Sequence, residues 1–437
     1  MLTGAISVYK VFLFETVSCE GDVKETPKYL NAVVFCLAMQ VGIVGKANVG
    51  KSTFFKAATL AEVEIANYPF ATINPNTGVG YVKVPCVDKD LNTQCNPREG
   101  FCIEHNRFVP VQMIDVAGLV PGAHEGKGMG NQFLDDLNQA DVLIHVVDAA
   151  GSTNEKGEYQ APGSNDPIND IKFLEIELDM WYLGMMKKVW ERFSRQVTQE
   201  NLENYKAIVK QFSGLGVSET IAKIAMKQLN LEDKKISQWS EEETFHLAQL
   251  LRKMTKPMII AANKIDVPIA RENLKRMQRA FPEYKIIGCS GDSELALREA
   301  AKHGLIKYIP GETEFHIVDD AKLSDKQKAA LAFIKSNVLD PVENTGVQHV
   351  LDAAVFELLK YIAIFPGGVH KLEDQFGRRL PDCFLMPPGT TALSFAFRVH
   401  TDLGTHFIRA IDVRTKMAVG KEHPLKHRDV IEIVSGK

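Results

Sequence analysis

Residues 45–52 read Gly45-Lys46-Ala47-Asn48-Val49-Gly50-Lys51-Ser52, which has the G-x-x-x-x-G-K-S spacing of a phosphate-binding P-loop. A short apolar run at 39–44 precedes the loop as a buried strand would, and 53–60 reads as a helix start. In that setting the backbone N–H groups point at phosphate oxygens, and the helix N-terminus adds partial positive charge. The alternative is a glycine turn that only joins a strand to a helix. We predict that the loop and Thr53 bind a nucleotide, with Lys51 at the β- and γ-phosphates and Ser52 on Mg²⁺.

Composition describes an ordinary globular protein. The chain has 437 residues, 45% of them hydrophobic and 24% charged, which is enough for about two to four domains. A net charge of −4 gives no whole-protein signal for nucleic acid and leaves room for a local basic patch. Seven cysteines without a paired framework suit a reducing compartment. Because no apolar run has the length of a transmembrane helix, we expect a cytoplasmic protein without a membrane partner.

Two weak signals in the sequence have plainer interpretations. Cys95, Cys102 and His105 are residue types that bind metals, but their spacing matches no zinc pattern, so we interpret them as an ordinary loop. Residues 1–38 contain a short apolar run with no basic segment before it, which makes a poor secretory signal. We interpret 1–38 as an extension outside the core fold that precedes a second candidate start at Met39. The alternative is an extra edge strand and helix.

Buried strands are predicted at four further places, each ending at a polar residue. The apolar runs 109–114, 142–147, 258–262 and 284–289 are too short for helices and lack strict alternation. Ligands of open α/β sheets bind at the carboxyl ends of such strands. We therefore expect the nucleotide to lie beside the polar residues that follow these runs, which are Asp115, Asp148, Asn263 and Ser290.

The domain organisation follows from changes of pattern along the chain. We assign 39–365 to an α/β nucleotide-binding domain with a mostly parallel sheet, interrupted by a helical insertion at about 170–256. Helix starts are expected in the insertion at Ser218 and at Ser240, where Glu243 completes a capping box. Its charged faces are either solvated surface or a partner-binding arm. Residues 366–437 read as short strands around a helix at 392–399, a small α+β module in which basic residues outnumber acidic ones.

Further motifs bear on magnesium and the γ-phosphate. The D-x-x-G element starts at Asp115, which would hold Mg²⁺ through water, and the Gly118 N–H would sense the γ-phosphate. Thr72 lies where a first switch threonine would close over both. Leu119 stands where many small GTPases have a water-orienting glutamine, so hydrolysis should be slow or assisted by another group. His124 is one candidate for that group, the alternative being a loop histidine without a catalytic role.

Guanine recognition is predicted by the N-K-x-D element 263–266. The Asp266 carboxylate can accept from guanine N1–H and the N2 amino group, whereas adenine offers neither donor on that edge. Lys264 would lie across the base and brace the P-loop, with Asn263 completing the element. Ser290 and Gly291 would supply the last base contact through backbone N–H groups. In contrast, we interpret His145, inside a predicted strand, as a hydrogen-bonded core residue.

A family resemblance rests on both switch segments. Residues 118–134 read GLVPGAHEGKGMGNQFL and resemble the second switch of Obg-superfamily GTPases, and 67–72 resembles their first switch, with Ala71 where many relatives have threonine. Together with 74–78, the sequence is most similar to the YchF-like branch in its archaeal-type form, and the C-terminal module resembles a TGS domain.

The resemblance implies a P-loop GTPase domain with a helical insertion and a β-grasp-like TGS domain that contacts ribosomal or transfer RNA. It also implies that Asn48 can bind K⁺ beside the phosphates. ATP-using members of the branch lack an intact N-K-x-D motif, and their proposed catalytic histidine has no counterpart among 148–157. We therefore predict a slow, Mg²⁺-dependent GTPase acting as a translation-linked switch. The alternatives are an ATPase of the same fold and an RNA-binding module in which nucleotide is only structural.

Overall fold

The structure is a computed structural model that describes residues 39–60, 76–116, 136–200 and 202–436. The 1–38 extension and both predicted switches, 67–72 and 118–134, lie outside these residues. No helix in the described ranges is long and apolar enough to cross a membrane.

A largely parallel sheet forms the centre of the nucleotide-binding domain, as the sequence predicted. Its strand order is β2-β4-β1-β5-β6-β7, with β3 added on β4. Strands β4, β1, β5, β6 and β7 run parallel, whereas β2 and β3 pair antiparallel with β4. The strands are β1 (Gln40–Val44), β2 (Thr77–Pro85), β3 (Phe101–Ile103), β4 (Asn106–Asp115), β5 (Val142–Asp148), β6 (Met258–Asn263) and β7 (Ile286–Gly288).

The carboxyl ends of the parallel strands bring the predicted site residues to one edge of this sheet. Every residue of β5 and β6 is buried, because helices cover both faces of the sheet. In the register, Ile43 at the end of β1 lies opposite Asp115, and Asp148 lies opposite Asn263. The loops that follow β4, β5 and β6 therefore converge next to the P-loop.

Helices of the nucleotide-binding domain and a small hairpin surround the sheet. Helix α1 follows the P-loop and packs against α7, the helix that follows β7. Their bounds, with those of the neighbouring elements, are α1 (Lys51–Thr59), α6 (Pro268–Ala280), α7 (Gly291–Lys302), β8 (Ile306–Tyr308), β9 (Phe315–Ile317), α8 (Asp325–Ile334), α9 (Asp340–Val342) and α10 (Val347–Asp352). Helices α8 and α10 continue into π-helical segments, Lys335–Leu339 and Ala353–Leu358.

Between β5 and β6 the chain forms a helical insertion with a core of its own. Its helices are α2 (Pro167–Glu200), α3 (Asn204–Phe212), α4 (Glu219–Gln228) and α5 (Glu241–Thr255). Both predicted helix starts are confirmed. Ser218 accepts a hydrogen bond from the Ile221 N–H, and Ser240 forms a complete capping box with Glu243. Aromatic side chains, among them Trp181 and Trp239, fill the separate core of the insertion.

The C-terminal module is a second sheet with strand order β11-β10-β14-β12-β13. Its elements are β10 (Ile362–Pro366), β11 (Phe384–Met386), α11 (Ala392–Val399), α12 (Thr401–Thr405), β12 (Phe407–Asp412), β13 (Ala418–Val419) and β14 (Asp429–Ser435). Strand β10 falls before the predicted boundary at 366. It belongs to this sheet because it pairs with both β11 and β14. The sheet therefore begins at Ile362, and Pro366 is the last residue of its first strand.

The second sheet packs against the segment that connects β2 to β3. Cys86 and Val87 of that segment share a buried cluster with Phe365, Leu380 and Val430. The two modules are thus joined by apolar packing in addition to chain connectivity.

Candidate functional site

Two glycines shape the P-loop between β1 and α1. Gly45 has a φ of +154°, and a Cβ there would lie 2.5 Å from the carbonyl oxygen of Val146. Gly50 caps α1 in the left-handed conformation with a φ of +92°, and a Cβ there would lie 2.2 Å from the Asn263 side-chain nitrogen. Any side chain at either position would push the loop away from its neighbours. The loop therefore has the close backbone approach that phosphate binding requires.

The groups predicted for phosphate and magnesium lie together at the start of α1. Lys51 and Asp115 form an ion pair, both side chains being largely buried. The Ser52 hydroxyl lies 3.4 Å from the second oxygen of the same carboxylate. An ammonium, a hydroxyl and a carboxylate thus converge at the mouth of the loop, which is the donor and acceptor set expected for a magnesium-bound phosphate.

Asn263 joins three loops of the site. Its side-chain nitrogen donates to the carbonyl of Val49 at 2.9 Å, and its oxygen accepts from the Gly291 N–H at 3.0 Å. Because Asn263 is only 4% exposed, neither bond can be replaced by water without rearrangement. Asn263 therefore holds the P-loop, the turn after β6 and the turn after β7 in a fixed relation, so it acts by positioning them.

Lys264 makes the predicted contact with the P-loop, donating to the carbonyl of Asn48 at 3.3 Å. Its ammonium also binds the Asp148 carboxylate at 3.1 Å and the Ser152 hydroxyl at 3.0 Å. The ammonium lies 5.6 Å from the centre of the Tyr159 ring, within range of a cation–π interaction. These contacts fix the direction of the lysine side chain beside the P-loop.

Asp266 follows on the same turn with its carboxylate available. The side chain is half-buried, and it has no hydrogen bond or ion pair with any residue in the described ranges. Burial and the negative charge of Asp266 raise the pKa of the nearby Cys289 thiol. A carboxylate that is close to the base loops and without a partner there is placed to accept hydrogen bonds from a ligand.

The predicted base contact through Ser290 and Gly291 is not supported in the form expected. The Ser290 N–H donates to the carbonyl of Thr345 at 2.8 Å, and the Gly291 N–H donates to Asn263. Both donors are satisfied inside the protein, because this segment turns directly into α7, for which Ser290 is the N-cap. The two residues therefore support the turn between β7 and α7, and their N–H groups are not free to bind a base.

Lys46 was predicted to bind nucleotide as part of the P-loop, and the structure shows that its side chain is engaged elsewhere. Its ammonium points away from the loop interior and binds the Asp170 carboxylate at 2.7 Å and the carbonyl of Thr153 at 3.0 Å. Burial raises the pKa of Asp170, and the bond from Lys46 opposes that shift. The ion pair connects the P-loop to the first turn of α2, so only the backbone of Lys46 remains for phosphate. Ala47 of the P-loop packs against Gly157. A Cβ added at Gly157 would lie only 2.7 Å from the Cβ of Ala47.

His145 is buried on β5, as expected, but one of its two ring nitrogens lacks the hydrogen bond that the interpretation required. Its Nδ1 atom has no hydrogen-bond partner in the described part of the protein. Burial and the positive charge of Lys46 lower the pKa of His145 to about 3, so the ring is neutral at physiological pH. The ring borders a small cavity that Lys46, Asp170, Phe173 and Leu174 also line.

Thr72, Gly118, Leu119 and His124 lie outside the described residues, so their predicted roles remain predictions. Asp148 was expected beside the nucleotide, but the sequence indicated no role for its side chain. Asp148 is 1% exposed and accepts from the Ser152 N–H at 2.9 Å and from the Thr153 hydroxyl at 3.0 Å, in addition to Lys264. Its position after a buried strand, with hydroxyl residues close behind, was the available signal.

Family models match three successive parts of the chain. Residues 40–173 match the family described as 50S ribosome-binding GTPase, and 261–368 match the G4 motif-containing domain of YGR210-like Obg-like GTPases. Residues 370–435 match the TGS domain.

Curated relatives extend the similarity over most of the chain. An uncharacterized GTP-binding protein of Methanocaldococcus jannaschii is 47% identical over 90% of this chain and 98% of its own length. A GTP-binding protein of Schizosaccharomyces pombe is 35% identical over 80% and 88%. The ribosome-binding ATPase YchF of Bacillus subtilis is 28% identical over 86% and 88%.

Among solved structures, a GTP-binding protein from Pyrococcus horikoshii superposes with a TM-score of 0.72 at 39% identity, covering 91% of this chain and all of that one. The YchF GTPase of Schizosaccharomyces pombe superposes with a TM-score of 0.57 at 20% identity, covering 91% and 98%, and shows the shared fold.

Proposed function

We infer, because this chain belongs to the YchF-like family of Obg-like P-loop GTPases with a C-terminal TGS domain, that it hydrolyses GTP slowly and acts as a switch on the translation machinery. A cytoplasmic location is part of the same proposal.

The observation that carries the guanine assignment is the pair Asn263 and Asp266. Asn263 connects the base loop to the P-loop, and the neighbouring Asp266 has a carboxylate without a partner among the described residues. Guanine presents two adjacent donors to such a carboxylate, whereas adenine would leave it unpaired. The relatives named as ATPases are the more distant ones by identity, so their nucleotide is not transferred to this chain.

Magnesium fits the donor set next to α1. Ser52 and Asp115 offer oxygen ligands, which Mg²⁺ prefers, and we propose that Thr72 adds a third. Mg²⁺, when bound, supplies charge neutralisation for phosphoryl transfer. Lys51 would exchange its ion pair with Asp115 for the β- and γ-phosphates, which leaves the carboxylate available on the magnesium side. We propose that Gly118 binds the γ-phosphate and that His124 assists the attacking water.

A ribosomal or transfer RNA partner is supported by surface charge and by relatives. Several bacterial relatives carry the name ribosome-binding ATPase. In the present chain, Lys188, Arg192 and Arg195 are spaced along one face of α2, and all three are exposed. Basic side chains in such a row suit phosphate backbones. We propose that this face and the TGS domain contact the RNA.

Binding and turnover together test the proposal. Calorimetry on the purified chain should show GTP and GDP binding with Mg²⁺ and much weaker ATP binding. GTP turnover should rise when ribosomes are added. A preference for ATP would favour the ATPase alternative, and nucleotide binding without turnover in either condition would favour the RNA-binding module.

Potassium dependence provides a separate prediction. The Asn48 side-chain nitrogen donates to the carbonyl of Gly157 at 2.8 Å, which orients the amide and leaves its oxygen without a donor in the described ranges. We propose that this oxygen binds K⁺ beside the phosphates. GTP hydrolysis should then be at least about tenfold faster in potassium than in sodium buffer, equivalent to about 1.4 kcal/mol of transition-state stabilisation. In Asn48→Ala the ratio of the two rates should approach unity. Equal rates in the wild type would refute the idea.

A further inference from the structure

Three cysteines and an aspartate converge where the nucleotide-binding domain meets the TGS module. Cys86 directly follows β2, Asp88 and Cys95 lie in the connection to β3, and Cys102 lies within β3. The Cys86 N–H donates to the carbonyl of His105 at 2.7 Å, which joins the end of β2 to the β3–β4 turn. The chain between Cys86 and Cys102 therefore turns back on itself, which brings these four side chains close together.

The spacing of the four side chains suits a tetrahedral metal ion. One ligand atom from each of Cys86, Asp88, Cys95 and Cys102 lies within 4.8 Å of all the others. The Cys86 and Cys95 sulfurs are 3.6 Å apart, and the Cys102 sulfur is 4.0 Å from an Asp88 oxygen. Zinc–sulfur bonds of about 2.3 Å place two sulfurs of a tetrahedral site about 3.8 Å apart. The thiols are free, so no disulfide accounts for their proximity.

Burial and hydrogen bonding prepare Asp88 as the fourth ligand. Its side chain is completely buried. One carboxylate oxygen lies 2.9 Å from the His105 Nδ1 atom, and the other accepts from the Cys95 N–H at 3.0 Å. Side chains that bind metals are commonly held by such outer hydrogen bonds. His105 is therefore a positioning residue for Asp88.

We propose that Cys86, Cys95, Cys102 and Asp88 bind a structural zinc ion. Soft thiolates select zinc among the abundant divalent metals, and a closed set of four protein ligands is typical of structural zinc sites. On binding, the three thiols release their protons to solvent as zinc–sulfur bonds form. Under this proposal, a metal site would replace the interpretation of Cys95, Cys102 and His105 as an ordinary loop, because Cys86 and Asp88 supply the ligands that their own spacing lacked.

The site fixes the platform that receives the TGS module. The Asn96 N–H donates to the carbonyl of Arg379 at 2.8 Å, and the Arg98 N–H donates to that of Pro381 at 2.9 Å. Asp90 binds Arg414 at 2.8 Å and Arg428 at 2.9 Å. Asp90, Asn96 and Arg98 all lie between Cys86 and Cys102, in the segment that the metal would close into a loop. Zinc would therefore stabilise the contact between the modules, in addition to the segment itself.

Metal content and spectroscopy on the full chain test the proposal. Wild-type protein purified under reducing conditions without a metal-affinity step should contain about one zinc per chain by elemental analysis. Cys95→Ala and Cys102→Ala should contain less than about a tenth of that amount. Cys383→Ala is the matched control, because Cys383 packs beside the same cluster but is not one of the four ligands. It should retain its zinc.

A second measurement does not depend on the folding of any variant. Wild-type protein loaded with cobalt should show the thiolate charge-transfer and visible bands of a tetrahedral site, and a chelator should lower its melting temperature. Three results would overturn the proposal. The first is a wild-type protein that contains no metal and gives no such spectrum with cobalt. The others are a Cys86–Cys95 disulfide found by mass spectrometry and full zinc content in Cys102→Ala. None of these readouts requires nucleotide binding, so failure of the GTPase proposal would leave them unaffected.

Discussion

Asp266→Asn should lower GTP affinity by about 30- to 700-fold, equivalent to about 2–4 kcal/mol. The substitution places an amide NH₂ against a guanine donor and removes a charge-assisted hydrogen bond. Xanthine has a carbonyl where guanine has its N2 amino group, so the same variant should bind xanthine nucleotides better than the wild type does. The phosphate groups should be bound as before, because Lys51, Ser52 and Asp115 lie on other loops.

Competition binding of GTP, ATP and XTP to both proteins measures this switch. Glu272→Gln is a suitable control, since it removes an exposed carboxylate from α6, the helix that begins just after the N-K-x-D turn. It should leave all three affinities unchanged. An Asp266→Asn variant with unaltered GTP affinity, or a wild type that prefers ATP, would contradict the guanine assignment and favour an ATPase of the same fold.

Arg107→Ala should destabilise the protein by about 3–5 kcal/mol. Arg107 is 1% exposed, and its two terminal nitrogens donate to the carbonyls of Leu380 at 3.0 Å and Pro381 at 2.8 Å. The substitution leaves both carbonyls buried without these donors, and it leaves a cavity between the modules. Because the carbonyls belong to the TGS module and Arg107 to β4, the loss should act first on the contact between them.

Thermal unfolding and hydrogen exchange by mass spectrometry can separate the global effect from the local one. The melting temperature should fall, and exchange should rise around 379–382 before it rises in the central sheet. Arg107→Lys keeps the charge but cannot bind both carbonyls in the same way, so it should have an intermediate effect. Arg192→Ala, which truncates an exposed arginine on α2, is the control and should unfold as the wild type does. An Arg107→Ala variant as stable as that control would contradict the role assigned to Arg107.

The amino-acid sequence by itself determined the fold class, the P-loop and the helix starts. Each of these depends on residues that are close in the chain. The Gly50-Lys51-Ser52 turn and the Ser240 capping box are interactions within a few positions, so their spacing is visible in the sequence. The buried strands were equally visible, because parallel strands covered on both faces read as continuous apolar runs. The C-terminal boundary was less clear, since β10 is recognised as part of the second sheet only through its pairing with β14.

The tertiary structure alone decided the partners of several polar side chains that bind residues far away in the chain. Lys46 and Asp170, and Arg107 and Pro381, are far apart in the chain, and no local spacing links them. The same holds for the four side chains of the proposed zinc site, which are assembled by a turn and a hairpin. A buried polar group must find a partner wherever the folded chain brings one, because leaving it unpaired costs more than the bond itself contributes. That requirement is met by the complete fold, so the roles of Lys46, Asp148 and Gly291 follow from three-dimensional proximity.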